Sequence, residues 1–518
     1  MTNETPAMPG SGRGRRSLPL LLLAILTLAA TRADAPAWVS LSEGGYAFAS
    51  AVAADHEGNL YVTGGFGGTV RFGDRALVAR GERVTATDVF LVSHDPAGRV
   101  RWVVKGGSDV RDAGLFVAAG RTGIHVAGFI GGTADFGAST GASAPIPGSV
   151  LSRSLVLAKY DFSGNLLWVR TVADSGTIGP EGLAIDDEEN VYVFGYFEKC
   201  ADFGATRLEK EMSKNLFLAR YSPDGELEWA RQITGGHNFI TGPRARGLAI
   251  GPDGRLYLTG TLSGVTRFGT RRHETSKTRY SARSFLHNTE IFVARYSLAG
   301  ELDLLKIVAV HADVADIRIA PDGAILLAGA FKGMASGPKR GAAQIGGREI
   351  VATRDPGGEI RDDIILARFD PEYKLDWVVT AGGPGADAAL ALAVDAAGNA
   401  SITGHIDQTA EIGGERLTVI GGEAWKLDIF AATFDPRGRL LAVRQAGGPS
   451  TEKGDGIAVD SRGRTFVTGT VRGEVAFGAE RRRAGTHGDV FLVAYPAPES
   501  AAAGAMTRGG GGETPPRR

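Results

Sequence analysis

Residues 182–195 read GLAIDDEENVYVFG, residues 247–260 read GLAIGPDGRLYLTG, and residues 456–469 read GIAVDSRGRTFVTG. Each stretch is a short apolar run, a turn of the D-x-x-G-N kind, and a second run with β-branched or aromatic residues at alternate positions, closed by glycine. That combination predicts a β-hairpin. The Asp side chain caps the turn, and Gly or Asn takes the left-handed backbone there. Acidic turns such as DHEGN and DDEEN lack EF-hand ligand spacing and match non-acidic turns elsewhere in the chain, so hairpin geometry is preferred to a calcium loop.

The same phrase recurs at residues 51–64 (AVAADHEGNLYVTG) and 391–404 (ALAVDAAGNASITG), with divergent versions at 115–128 (LFVAAGRTGIHVAG) and 316–329 (DIRIAPDGAILLAG). The closing glycines Gly64, Gly128, Gly195, Gly260, Gly329, Gly404 and Gly469 mark seven copies, 64 to 75 residues apart, which align over fourteen residues without insertion. A second hairpin follows each at a variable distance. Its first strand reads DVFLVSHD, SLVLAKYD, NLFLARYS, EIFVARYS, DIILARFD, DIFAATFD or DVFLVAYP, and its second is marked by Trp102, Trp168, Trp229 and Trp377, with Leu304 and Ala442 at the same phase. The four strands of a unit are called A to D. A length of 518 residues would ordinarily suggest several domains, but in-phase repeats build one body.

The seventh copy ends at Tyr495-Pro496 with no strand D, and an unassigned Trp38 stands thirteen residues before strand A of the first copy. The missing strand is therefore at the other end of the chain. An open blade exposes unpaired backbone, so the strand of Trp38 is expected to pair with residues 489–495 and close the ring. The expected fold is all-β, a seven-bladed β-propeller of four-stranded blades over residues 36–497. A Trp at fixed phase in each unit reads as inter-blade core rather than a carbohydrate platform.

The pattern G-[LI]-A-[VI]-D-x-x-G-N-x-Y-V-T-G, then F-G, then D-x-F-L-A-[KR]-Y-D-x-x-G-x-L-x-W, resembles the bacterial seven-bladed β-propeller (SBBP) repeat family, from about Trp38 to Pro496. The resemblance implies the scaffold and carries over no catalytic residue set.

The ends have a different character. Arg13, Arg15 and Arg16 precede an apolar run from Leu18 to Ala30 and small residues near Ala30 to Ala35, which reads as a signal peptide over 1–35. That run is too short to span a bilayer. Arg15-Arg16-Ser17-Leu18 loosely resembles a twin-arginine signal. The tail, 498–518, is rich in Ala, Gly and Pro and is expected to be disordered. A secreted, periplasmic or cell-surface monomer follows as the expectation. The single cysteine, Cys200, excludes an intrachain disulfide framework and reads as a small buried hydrophobe. A formal net charge of −1 argues against a generally nucleic-acid-binding surface.

For function, the A–B and C–D turns keep constant length and share one face of the disc, while the B–C links vary and share the other face with the crossovers between units. Binding belongs on the variable face. Most links contain an apolar residue before Gly, at Phe72, Phe136, Phe203, Phe268, Ile345, Ile412 and Phe477, which reads as a tuck holding the link down. Two departures from the repeat stand out. The fourth link carries Arg267, Arg271, Arg272, Lys277, Arg279 and Arg283 against Glu274 alone, a pattern suited to an anionic polysaccharide or a cell-envelope or protein partner. Arg318 stands in an inner strand where other copies have Ala53, Val117, Ala184, Ala249, Ala393 and Ala458, and must be paired or reach the channel. Its local neighbours Asp316 and Asp322 are set second to a more distant partner. His94 and His125 replace strand aromatics and read as core or boundary residues. No H-E-x-x-H, G-x-S-x-G, P-loop or Cys/His cluster is present; no cofactor or metal is expected. The candidate ligand-binding residues are Arg271, Arg272, Lys277, Arg279, Arg283 and Arg318. The reading is an exported, non-catalytic binding propeller; the alternative is a hydrolase or lyase with its site at the channel mouth.

Overall fold

The computed structural model describes residues 35–498, apart from 82–85, 137–152, 174–175, 212–213, 236–242, 282–283, 335–339 and 422–425. The expected signal peptide, 1–35, and the expected disordered tail, 498–518, therefore lie outside the described residues, except for their innermost positions. Seven antiparallel four-stranded sheets form the blades of a propeller. Their innermost strands, A of blades 1 to 7, are Tyr46–Ala54, Ala113–Ala119, Ile178–Ile185, Arg244–Ile250, Asp313–Ile319, Ala388–Val394 and Lys453–Val459. Blade 7 takes its outer strand from the start of the ring: Trp38–Glu43 lies antiparallel to Asp489–Tyr495, with Trp38 opposite Ala494 and Leu41 opposite Phe491. Among the described residues no helix is long and apolar enough to cross a membrane.

The hairpins form as their turns dictate. Asp55 Oδ1 accepts the main-chain N–H of Glu57 at 2.9 Å and of Asn59 at 2.8 Å, and Oδ2 accepts the Tyr61 hydroxyl at 2.8 Å. Asp186 repeats the arrangement with Glu188, Asn190 and Tyr192. Each Asp thus satisfies two turn donors that strand pairing leaves unpaired and ties the turn to an aromatic of strand B.

Blade 2 departs from the no-insertion alignment. Four residues separate Ala119 from Ile124 where the other blades have five, and the turn has no Asp. Its donors are met from the neighbouring blade, where Glu189 accepts the Thr122 hydroxyl at 2.7 Å and lies 3.7 Å from Lys159 Nζ. In register, the counterpart of Arg318 in blade 2 is Ala118, opposite His125, and not Val117.

Seven buried apolar clusters each span a seam between two blades. The seam of blades 7 and 1 is built like the rest, from Phe466 and Leu492 against Val52, Leu60 and Phe90. The tuck residues are buried, from Ile412 and Phe477 at 0% to Phe203 at 9% exposure. Each lies on a link that folds back and pairs with strand D, or the residue just after it, of the preceding blade. Among the described residues, six of the links therefore form two-stranded hairpins along the outside of the ring.

Candidate functional site

Every strand A carries a β-bulge at the same phase. Register shifts fall between Ala49/Ala51, Gly114/Phe116, Pro180/Gly182, Ala245/Gly247, Val314/Asp316, Ala389/Ala391 and Gly454/Gly456. A bulge leaves one residue out of the ladder and re-aims its side chain. Because the bulges are in phase, the seven freed residues, Ser50, Leu115, Glu181, Arg246, Ala315, Leu390 and Asp455, form a ring lining one axial cavity of about 560 Å³. The ring sits in the first half of each strand A, toward the face that carries the links and crossovers.

Three members are ionisable. Glu181 is pushed up to about 7 by burial, opposed by the neighbouring Arg246. Asp455 is likewise pushed up to about 7 by burial, opposed by Lys453 of its own strand. Arg246 Nη2 reaches Asp313 Oδ2 at 3.3 Å, while its Nε is buried and has no partner among the described residues. Tyr196 stands beside Glu181, its hydroxyl raised first by burial and next by that carboxylate. The mouth thus offers two carboxyl groups raised toward neutrality and a guanidinium around a space large enough for a small polar ligand or the end of a chain.

Arg318 lines the same cavity. It is paired, but with the local carboxylate set second above: Nη1 lies 2.5 Å from Asp316 Oδ1 and donates to the Ile317 carbonyl at 2.7 Å. Asp316 Oδ2 in turn accepts the Leu392 N–H of the next blade at 3.1 Å. Burial raises Asp316, and Arg318 opposes that rise. The pair fixes the inner strand of blade 5 to that of its neighbour, blade 6.

The basic link is elsewhere. Val265–Phe268 and Arg271–Glu274 form a hairpin on strand D of blade 3, as the fifth and sixth strands out from the axis in that sheet. At about 4.8 Å per strand, Arg271 and Arg272 stand roughly 24 Å from the inner strand, so the fold does not bring them together with Arg318. Arg272 and Lys277 both converge on Glu274, each at 2.8 Å, and hold its carboxyl down at about 2. Arg267 and Arg271 are exposed and carry no ion pair among the described residues. Arg279 lies in the strand Lys277–Ser281, its side chain outside the described residues, as is Arg283 altogether.

The ring residues Glu181, Arg246 and Asp455 were missed in the sequence. A signal was present: each directly precedes the G-[LI]-A-[IV] phrase, in EGLAI, RGLAI and DGIAV, where other copies place Ser, Leu or Ala. Of the remaining candidates, Cys200 is buried with Arg207 Nη2 3.4 Å from its sulfur, and His94 and His125 are buried in the blades. Among the described residues no group of three or more His, Cys, Asp or Glu is arranged to hold a metal ion.

No family model matches the chain. It is 24% identical over 200 residues to an uncharacterized WD repeat-containing protein of Acanthamoeba polyphaga mimivirus; the match covers 34% of this chain and 14% of the length of that one. Among solved structures it is similar to a protein of unknown function from Dyadobacter fermentans (9% identity, TM-score 0.37, 89% of this chain and 98% of that). It is also similar to a puromycin hydrolase (14%, TM-score 0.39, 86% of this chain and 54% of that). Identities this low leave activity to be argued from the residues of this chain alone.

Proposed function

We propose that the chain is an exported binding propeller of the bacterial seven-bladed repeat kind, taking its ligand into the link-face mouth of the axial channel. The observation that carries this reading is the set of in-phase bulges, which turns seven repeat positions into one ring and furnishes it with Glu181, Arg246 and Asp455. Such a ring suits a small polar molecule or chain end that donates hydrogen bonds to the two carboxyls and presents an acidic or carbonyl oxygen to Arg246. The exposed Arg267 and Arg271, with Arg272, Lys277, Arg279 and Arg283, supply a separate peripheral contact for an anionic polysaccharide. Export is supported by the basic and apolar character of the first thirty residues.

A second reading, a hydrolase or lyase at the same mouth, is favoured by one observation: Glu181 and Asp455 both lie near neutrality, the range in which a carboxyl serves as general acid or base. One experiment separates the two. A panel of glycans, amines and short peptides is screened against the purified chain for binding and for turnover, alongside Glu181→Gln, Arg246→Gln and Asp455→Asn. Binding lost in all three variants, with no turnover in the parent, supports the binding reading. Turnover abolished by Glu181→Gln or Asp455→Asn while affinity is retained supports the enzyme. Full binding in all three variants removes the channel mouth from consideration.

A further inference from the structure

Outside the channel, a different constellation recurs where strand D of one blade crosses to strand A of the next. Asp88 is set beside Asp112, Asp363 beside Asp387, and Asp428 beside Glu452, and none of the six is more than 3% exposed. The first member of each pair stands in strand C and uses one oxygen structurally. Oδ2 of Asp88, Asp363 and Asp428 accepts the main-chain N–H of Arg80, Thr353 and Ile420 at 3.1, 2.7 and 2.8 Å, holding the returning link in place. The other oxygen, Oδ1, is buried and without a hydrogen-bond partner in all three.

In blades 1 and 5 that oxygen converges with the second carboxylate, whose own oxygens accept the main-chain N–H groups of Ser108 and Gly131 or of Gly383 and Asp407; in blade 6 both oxygens of Glu452 are buried without a partner among the described residues. A Cβ placed on Gly107 would lie 2.8 Å from both Asp88 Oδ1 and Asp112 Oδ2, and one on Gly382 would collide with Asp363 Oδ1 and Asp387 Oδ2 in the same way. Glycine is required at these positions because two carboxylates converge on the backbone. Asp407, whose own Oδ1 is buried and unpartnered, also acts on Asp387.

The pairing follows a rule within the chain. Strand C contributes Ser154, Asn215, Glu290 and Asp489 in the other four blades, and by register the crossover position there is Ile178, Pro243, Ala312 and Ala47. Glu290 is satisfied by His273 and Ser276, and Asp489 by Gly485 and Ser42. A second carboxylate thus appears only where the first leaves an oxygen free. Two like charges buried side by side repel, and an unpartnered buried oxygen adds its own desolvation cost. Repeating that arrangement three times calls for a positive charge between the partners.

We propose that the three crossover pairs are sites for a hard divalent cation of the calcium class, each built on the free Oδ1 of the strand-C aspartate and the carboxylate that faces it. The donors are all oxygen, which selects hard cations, and calcium accepts irregular shells completed by main-chain carbonyls and water. With two carboxylates per site, affinity falls in the weak, extracellular-module class of about 0.1–1 mM. Lys105 Nζ already lies 3.6 Å from Asp88 Oδ2 and Lys426 and Arg472 act on Glu452, whereas among the described residues no cation acts on Asp363 or Asp387, which makes the Asp363/Asp387 site the strongest. The cation would fasten each link and crossover to its blade without touching the channel.

The test uses the full chain, stripped with EDTA and returned to calcium or magnesium chloride at pH 8, with bound ion counted by equilibrium dialysis and melting followed by circular dichroism. Expected are calcium binding, a melting temperature that rises by several degrees as the sites fill, and a smaller response to magnesium. Asp387→Asn and Glu452→Gln should each bind fewer ions and lose part of the shift. A parent that binds no calcium in the millimolar range and melts unchanged overturns the proposal, as do variants that keep the whole calcium shift. If the variants do not fold, the ion count on the parent decides alone. Stability that responds to pH but not to calcium would mark the pairs as proton-sharing instead.

Discussion

The indole of Trp38 lies over Gly98, so closely that a Cβ on that glycine would fall 2.6 Å from Trp38 Cδ2. Trp102 meets Gly164, Trp168 meets Gly225, Trp229 meets Gly300 and Trp377 meets Gly438 in the same way, always from strand D of one blade onto the C–D turn of the next. Trp38 and Gly98 repeat that relation across the join between the two ends of the ring. The indole N–H groups differ around the ring, and that of Trp229 is buried without a partner among the described residues. Trp102, Trp168 and Trp377 donate their indole N–H to the carbonyls of Phe162, Pro223 and Pro436. At the join the corresponding carbonyl, of Pro96, is taken by Arg464 Nη1 at 2.9 Å, and Trp38 Nε1 has no partner among the described residues.

Stability at the join therefore rests on ring packing rather than on the indole hydrogen bond. Trp102→Phe should cost about 1 kcal/mol more than Trp38→Phe, since only the former gives up a hydrogen bond. Gly98→Ala, at φ +85°, should destabilise by about 1–3 kcal/mol through both backbone strain and collision with Trp38. Removing residues 36–42 should lower the melting temperature sharply by opening the edge of blade 7. Urea unfolding of the four variants checks this; equal costs for the two Trp→Phe changes would contradict the assignment.

Arg318 and Asp316 form a replaceable unit. Blade 6 has Ala393 and Ala391 at the same two places, and blade 7 has Ala458 and Gly456, so the fold accepts small residues there. Removing Arg318 alone strands the largely buried Asp316, which should cost about 1–3 kcal/mol. Arg318→Ala combined with Asp316→Ala should recover most of that loss. A double-mutant cycle in urea gives the coupling; strictly additive costs would show that the ion pair contributes nothing.

The seven-fold repeat was legible because strand period and turn chemistry are local properties, written out in every copy. The blade 2 turn was not, since its missing Asp is replaced by Glu189 from another blade, and a contact between distant segments leaves no trace in one copy of a repeat. The basic link misled for a related reason. Its charges were plain in the sequence, but Arg272 and Lys277 share Glu274, and the hairpin lies on the outer edge because Phe268 pairs opposite Ile233. Glu181, Arg246 and Asp455 were missed because a bulge alters which side a residue faces without altering its spacing.

The channel carboxyls give stability a definite pH dependence. Glu181 and Asp455 have folded-state values near 7, above the unfolded values of 4.5 and 3.8. The fold therefore holds their protons more tightly than the unfolded chain does. The stabilisation is fully present below about pH 4 and is lost as pH rises through 7. Buried His125, lowered to about 3, works in the opposite direction, costing stability as pH falls below 6.5. Glu181→Gln and Asp455→Asn should each flatten the decline between pH 5 and 8 relative to the parent, read as the urea midpoint at each pH. Parallel parent and variant curves would mean that these groups are solvated and unperturbed.

The basic hairpin gives the last prediction, and its strength follows from how its charges are already used. Glu274 neutralises part of the charge of Arg272 and Lys277, leaving Arg267 and Arg271 as the exposed cations whose side chains can meet a polyanion without first breaking an ion pair. Attraction between exposed charges is screened over about 10 Å at 0.1 M salt, so binding of an acidic polysaccharide to this edge should be measurable at low ionic strength and weaken steeply toward 0.3 M. Arg267→Ser with Arg271→Ser should remove more of it than Arg272→Ser with Lys277→Ser, because the second pair also frees the Glu274 carboxylate from its partners while taking away cations that were half spent. The fold should tolerate both, since all four residues are exposed. Affinity electrophoresis or calorimetry against an acidic glycan at three salt concentrations reads the result. Binding that is independent of salt, or equal losses in the two double variants, would leave the hairpin as a charged edge that merely discourages strand addition from another chain.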